Sequence, residues 1–219
     1  MPKKKVANKK VTAKKTVKKV AEVVKKTTKA VKAVAKKTEV KQSEKVPLKA
    51  MLAQERVLVD GSDETLELNN SGAYGTLLED KKLQLSLQEA LFLKEKNKLT
   101  IIDGRNKEFS FERFVKTATI IEPNFWVRYA VYKDMRSRGY IIKTALKFGA
   151  DYRVYDRGIK PGDDHARWII YPVHEGSTLT WYEFAAKNRV AHSTKKRLMM
   201  GVVDDEGDVT YWEIKWVRP

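Results

Sequence analysis

Trp168-Ile-Ile-Tyr171, Thr180-Trp-Tyr-Glu183 and Leu198–Asp204 follow one another near the end of a 219-residue chain. The first and third are β-rich runs. Thr180 and Glu183 between them have capping-box spacing, in which the hydroxyl and the carboxylate each accept a backbone N–H of the other and open a helix, here reaching to about Val190. Asp208–Trp216 is a further β-rich run, joined to Leu198–Asp204 by an Asp-Glu-Gly turn, and the two read as a hairpin. Strand, helix, strand and strand in this order predict a mixed sheet flanked by helices.

Upstream of that block, Tyr140-Ile-Ile142 and Tyr152-Arg-Val-Tyr155 are strand-like. Asn124–Ser137 places Trp126, Tyr129, Ala130, Tyr132 and Lys133 at helical spacing and stops at Arg138-Gly139, where glycine suits a helix end. These segments predict a C-terminal domain over 121–219. Before them, Arg56-Val-Leu-Val-Asp60 and Thr65-Leu-Glu-Leu68 alternate as short strands around the turn Asp60-Gly-Ser-Asp63. Ser86-Leu-Gln-Glu89 is a second capping box, opening a helix over Leu87–Lys96, and another helix is expected at about Ser110–Ile120, ending before Pro123. The prediction for 48–120 is a small α+β N-terminal domain, so the fold class of the chain is α+β/mixed.

Residues 1–47 differ from the rest. They hold 17 Lys and three Glu, a charge of +14 out of the chain's +17, and they contain no aromatic residue and no Gly. Such a segment buries too little surface to offset chain entropy, so a disordered basic tail is expected. Val17, Val24 and Val31 recur at heptad spacing with Val20 and Val34 between them, a narrow stripe suited to a helix formed on a partner. A concentrated excess of Lys points to a polyanion, because each neutralised phosphate releases condensed counterions. With no greasy anchor beside the lysines, nucleic acid is favoured over membrane. There is no Cys, which excludes disulfides and thiolate chemistry and suits an intracellular, cytoplasmic protein. The N-terminus lacks the apolar core of a secretory signal, and no run approaches the ~20 apolar residues of a membrane-spanning helix.

The three histidines, His165, His174 and His192, form no metal-ligand spacing, and neither a Walker loop nor a G-x-G-x-x-G run occurs, so no cofactor and no structural metal are expected. Tyr155 ends one predicted strand and His165 begins the next, across the loop Asp156–Asp164 with Gly158, Pro161 and Gly162. Adjacent strand ends bring both side chains to one rim as a candidate acid/base pair. On the residues alone, a core-capping Tyr155, a loop-edge His165 and a solvated Lys196 are the favoured readings. Glu213-Ile-Lys215 with upstream Asp208 has the acid…Glu-x-Lys pattern that holds Mg²⁺ in metal-dependent, restriction-like nucleases. A non-catalytic nucleic-acid-binding protein is the third reading, suggested by the tail.

Five features stand in order along the chain: Tyr132-Lys-Asp-Met-Arg-Ser-Arg-Gly-Tyr140, Lys147-Phe-Gly-Ala-Asp-Tyr-Arg-Val-Tyr-Asp-Arg-Gly158, the His165 position, Arg189-Val-Ala-His-Ser-Thr-Lys-Lys-Arg-Leu198 and Val202-Val-Asp-Asp-Glu-Gly-Asp-Val-Thr-Tyr211. Together they resemble the archaeal tRNA-splicing endonuclease family. The similarity covers roughly residues 50–219 and leaves the tail out. It implies a restriction-endonuclease-like, mixed-sheet α/β nuclease domain at the C-terminus. It also implies a catalytic Tyr, His and Lys at Tyr155, His165 and Lys196, with Lys196 chosen over Lys195 by its place in the His-Ser-Thr-Lys-Lys-Arg-Leu run. In that scheme Tyr155 takes the proton from a ribose 2′-hydroxyl, His165 protonates the departing 5′-oxygen and Lys196 stabilises the pentavalent phosphate. The products are a 2′,3′-cyclic phosphate and a 5′-hydroxyl, without a metal. A tyrosine titrates at about 10 in water, so a base role calls for nearby positive charge, for which Arg153 on the same strand face is a candidate.

The resemblance further implies a bulge-helix-bulge precursor tRNA as substrate, its flipped bulge base held between cationic or aromatic side chains of the opposite subunit. Arg189 matches one such position; Tyr211 and Trp212 lie near the other, with Trp216 competing. The acidic turn Asp204, Asp205, Glu206 and Asp208 matches a loop that inserts into another subunit, which implies a homotetramer or a heterotetramer with a structural chain.

Overall fold

The computed structural model describes residues 46–146 and 149–217. The expectations for the basic tail, including its valine stripe, concern residues 1–47 and, apart from Val46 and Pro47, lie outside the described residues. In the unit that begins at Pro47, two five-stranded sheets are built in succession.

The first comprises β1 (Leu48–Ala53), β2 (Arg56–Val59), β3 (Thr76–Leu77), β4 (Leu83–Leu85) and β5 (Leu99–Ile102), in the order β3-β4-β2-β1-β5. Only the β1–β5 pair is parallel. Three helices accompany this sheet: α1 (Asp63–Gly72), α2 (Leu87–Glu95) and α3 (Phe111–Ile121). The predicted capping box of Ser86 with Glu89 opens α2, and Ser110, where the next helix was expected to begin, caps α3.

Thr65–Leu68, expected as a strand, is part of α1. Four alternating residues fit either period, and the start signals around them carry more weight. Ser62 Oγ accepts the Thr65 N–H at 3.2 Å, and Asp63 and Glu64 place negative charge at the helix N-terminus. Thr65 itself is fully buried, its hydroxyl donating to the Asp60 carbonyl at 2.9 Å. Ser62→Ala is therefore expected to cost about 1 kcal/mol in urea unfolding. An unchanged unfolding midpoint would show that the cap contributes nothing here.

The second sheet comprises β6 (Ile141–Ala145), β7 (Ala150–Tyr155), β8 (Trp168–His174), β9 (Arg197–Val203) and β10 (Val209–Ile214), in the order β10-β9-β8-β7-β6. Its helices are α4 (Phe125–Ser137) and α5 (Trp181–Ser193), the second opened by the Thr180–Glu183 capping box. β8 and β9 are parallel with α5 as the crossover; the other pairs are antiparallel. The expected mixed sheet is thus present, and with it the α+β/mixed class.

Side chains alternate across the second sheet and give it two apolar faces. Ile142, Tyr152, Val154, Ile170 and Val203 join the buried residues of α4 and the first sheet in one continuous core. On the other face Ile169, Tyr171, Leu198 and Met200 pack with Ala191 of α5. Among the described residues no helix is long and apolar enough to cross a membrane.

A buried ionic cluster ties the sheets together. Glu89 accepts from the N–H groups of Gly75 at 2.9 Å and Ser86 at 3.0 Å, and pairs with Lys143 of β6 at 3.3 Å. Lys143 also donates to the Gly75 carbonyl at 2.6 Å. Gly75 is the residue this approach requires: its φ is +64°, and an added Cβ would lie 2.7 Å from the Gln84 carbonyl oxygen.

Candidate active site

Pairing in the second sheet brings distant sequence positions to one rim. β7 ends at Tyr155, antiparallel to the start of β8, with Val154 opposite Trp168. β9 starts beside β8 and parallel to it, with Trp168 opposite Arg197. The rim is sewn by backbone bonds, Arg167 N–H to the Val154 carbonyl at 2.9 Å and Arg197 N–H to the Arg167 carbonyl at 3.0 Å. Tyr155, the connection carrying His165, and Lys196 immediately before β9 therefore share one end of the sheet.

His165 differs slightly from expectation, lying exposed in the connection rather than on β8, which begins at Trp168. That connection has its own structure. Arg167 pairs with both oxygens of Asp156 at 3.2 and 3.1 Å, and the Asp164 carboxylate accepts the His165 N–H at 2.6 Å. Gly162, at φ +110°, occupies backbone space that side-chain-bearing residues rarely adopt.

Tyr155 is 4% exposed, so the sheet fixes its ring. The Arg153 guanidinium lies over that ring, 5.8 Å from its centre, and Arg153 Nε is buried without a hydrogen-bond partner. The side chain named as a candidate neighbour in the sequence therefore packs over the Tyr155 ring.

Lys196 is placed by the end of α5. Lys195 takes a left-handed conformation (φ 54°), which lets the Lys196 N–H reach the Ala191 carbonyl at 2.9 Å. Lys195 is exposed, whereas Lys196 is half-buried and donates from Nζ to the Thr194 carbonyl at 3.0 Å.

A family model described as tRNA intron endonuclease, catalytic C-terminal domain, matches residues 125–211, which include all three of these side chains. A companion model for the N-terminal domain of tRNA intron endonucleases matches 48–115. A tRNA-splicing endonuclease of Thermococcus onnurineus (strain NA1) is 39% identical over 174 residues, covering 80% of this chain and 99% of that protein. The protein of the same description from Nanoarchaeum equitans (strain Kin4-M) is 42% identical over 149 residues, 65% of this chain and 94% of its own length. That of Methanothermobacter thermautotrophicus (strain Delta H) is 37% identical over 172 residues, 78% and 99%. The chain belongs to the tRNA intron endonuclease family.

The remaining candidate residues of this tRNA intron endonuclease fall into separate groups. Arg189 is exposed on α5. Tyr211 and Trp212 are neighbours on β10 and so point to opposite faces. Tyr211 is half-buried toward α4, its hydroxyl donating to Asp134 at 2.8 Å; burial and that carboxylate both push its pKa upward. Trp212 is 63% exposed on the other face, opposite Met200.

Asp204, Asp205, Glu206 and Asp208 form the β9–β10 turn, at the end of β9 remote from Lys196. Asp204 Oδ1 accepts the N–H groups of Glu206 at 3.0 Å and Asp208 at 2.8 Å, and Asp205 pairs with His174 at 3.0 Å. These bonds hold the acidic side chains in a defined turn. Asp208, just before β10, and Glu213, near the other end of that strand, are too far apart along it to share one ion. Glu213 instead accepts from Trp168 Nε1 at 3.0 Å and pairs with Arg197 at 3.1 Å, contacts that lower its pKa, the Trp168 bond most.

Asn188 and Arg197 line the same hollow as Lys196 and were not singled out in the sequence. A readable signal existed for one of them, since Asn188 and His192 have the i, i+4 spacing of one helix face that runs toward Lys196.

Proposed function

We propose that this chain cuts precursor tRNA at bulge-helix-bulge junctions by metal-independent attack of a ribose 2′-hydroxyl on the adjoining phosphate. The observation that carries this reading is the convergence of Tyr155, His165 and Lys196 on one rim of the second sheet, within the span matched by the catalytic-domain model. Three protonic groups at one phosphate suffice for transesterification. Tyr155, beside Arg153, removes the 2′-hydroxyl proton; His165 delivers a proton to the leaving 5′-oxygen; Lys196 balances the charge growing on the non-bridging oxygens. The selection of Lys196 over Lys195 is supported by its half-buried place at the rim. A cleavage assay on a bulge-helix-bulge RNA tests the function, and uncut RNA at saturating enzyme would reject it.

The accompanying assembly is a homotetramer in which the Asp204–Asp208 turn docks on another copy and Arg189 and Trp212 hold the bulge base across the interface. Trp212 is preferred over Tyr211 because its indole is exposed, whereas the Tyr211 hydroxyl is engaged by Asp134. Docking of an acidic turn depends on charge of opposite sign across the contact. Changing Asp205 and Glu206 to Lys is expected to split the tetramer into smaller species without unfolding the subunit, while Asp204, which ties the turn, is left in place. Light scattering that still finds a tetramer would refute this role.

A further inference from the structure

Beside Lys196, between the C-terminal half of α5 and the segment that follows β10, lies a hollow of about 350 Å³, wide open to solvent. It is lined by Asn188 and His192 of α5, Lys196 and Arg197 at the entry to β9, and Ile214 and Trp216 at and just past the end of β10. Just past β10 the Trp216 ring stands 4.2 Å from that of His192, at a 50° tilt. Trp216 nevertheless remains 47% exposed. Glu213 holds the Arg197 guanidinium at 3.1 Å, which fixes it at the edge of the hollow.

These groups suit one kind of occupant. An indole and an imidazole offer faces to an aromatic ring, Ile214 offers an apolar surface beneath it, Asn188 supplies an amide for a polar edge, and the cations at the mouth suit a phosphate. That is the chemistry by which unpaired nucleotides are bound, with bases stacked on aromatic side chains and the backbone held by Lys and Arg.

We infer that the hollow is a subsite for the single unpaired nucleotide adjoining the scissile phosphate, seated in the same chain whose Lys196 acts on that phosphate. The base lies against Trp216 and His192, and the phosphate between this nucleotide and the next falls to Lys196. This rests on the cleavage reading above. The subsite differs from a bulge-base clamp formed by Arg189 and Trp212, because those residues reach across to another subunit.

A binding cycle on RNA made uncleavable by a 2′-deoxy residue at the cut site tests the subsite apart from the chemistry. Trp216→Ala is expected to weaken binding about tenfold, the scale of one base–aromatic stack, and Trp216→Phe to restore most of the loss. For wild-type protein, an abasic residue at one of the two nucleotides flanking the scissile phosphate should cost the same factor. With Trp216→Ala that abasic RNA should lose nothing further. Wild-type affinity in Trp216→Ala, or losses that simply multiply, would overturn the subsite. A changed particle mass for Trp216→Ala in light scattering, with no abasic penalty in the wild type, would assign Trp216 to contacts between copies and equally refute it. Failure of the wild type to cut unmodified RNA would instead sink the functional reading.

Discussion

His165→Ala and Lys196→Ala are each expected to slow single-turnover cleavage by at least ~10²-fold, the usual scale for losing a general acid or a stabiliser of transition-state charge. Affinity for uncleavable RNA should stay close to wild type for His165→Ala and fall by no more than the loss of one phosphate contact for Lys196→Ala. His165 is exposed in its connection, and removing the imidazole leaves the Asp164 bond to its backbone N–H untouched. The Lys196 turn is held by its own backbone N–H on Ala191, so truncating the side chain preserves the entry into β9. Loss of rate without loss of fold, and with at most that loss of binding, is therefore the signature of chemistry. For the tyrosine the informative variant is Tyr155→Phe, because the ring is enclosed and truncation to Ala would open a cavity. Near-normal rates in either the His165 or the Lys196 variant would remove that residue from the mechanism.

Glu89→Ala is expected to destabilise the fold by about 3–5 kcal/mol, because it leaves Lys143 buried without its partner. Burial pushes the Glu89 pKa upward, but Lys143 and the N–H groups of Ser86 and Gly75 outweigh it and hold the carboxyl below the ordinary glutamate range. A carboxyl with a lowered folded-state pKa stabilises fully above its unfolded value of about 4.3. That contribution is lost as pH falls through the folded value. Urea unfolding should thus show a large gap between wild type and Glu89→Ala at pH 7, narrowing in acid below about pH 4. A gap under about 1 kcal/mol at pH 7 would mean that Lys143 finds other compensation.

The same carboxylate marks how far the sequence could be read. Ser86 and Glu89 announce α2 through local spacing, as Thr180 and Glu183 announce α5, because capping is settled within one turn. That Glu89 also binds Gly75 and Lys143 depends on how the two sheets meet and has no local signature. β1, β3, β4 and β5 were not assigned for a related reason. They are short, and Leu99–Ile102 acquires strand character through its parallel pairing with β1 rather than through alternation. Thr65–Leu68 failed in the opposite sense, its alternation being real but too short to compete with the Ser62 cap.

At the site, Tyr155 and His165 were legible as neighbours, since consecutive antiparallel strands share an end. Lys196 was not, because its arrival at that end requires a parallel crossover through α5, and only the family resemblance singled it out. The separation of Tyr211 from Trp212 follows from β10 alternation once the register is known. The hollow at Trp216 depends on how α5 packs beside the end of β10, which has no local signature.

The central claim is that the 2′-hydroxyl is the nucleophile and that no metal takes part. Cleavage of a bulge-helix-bulge RNA by the full chain in excess chelator, followed by analysis of the new ends, tests it most directly. The account predicts undiminished cutting with 2′,3′-cyclic phosphate and 5′-hydroxyl termini. Cutting that stops in chelator, or termini bearing a 3′-hydroxyl and a 5′-phosphate, would contradict it.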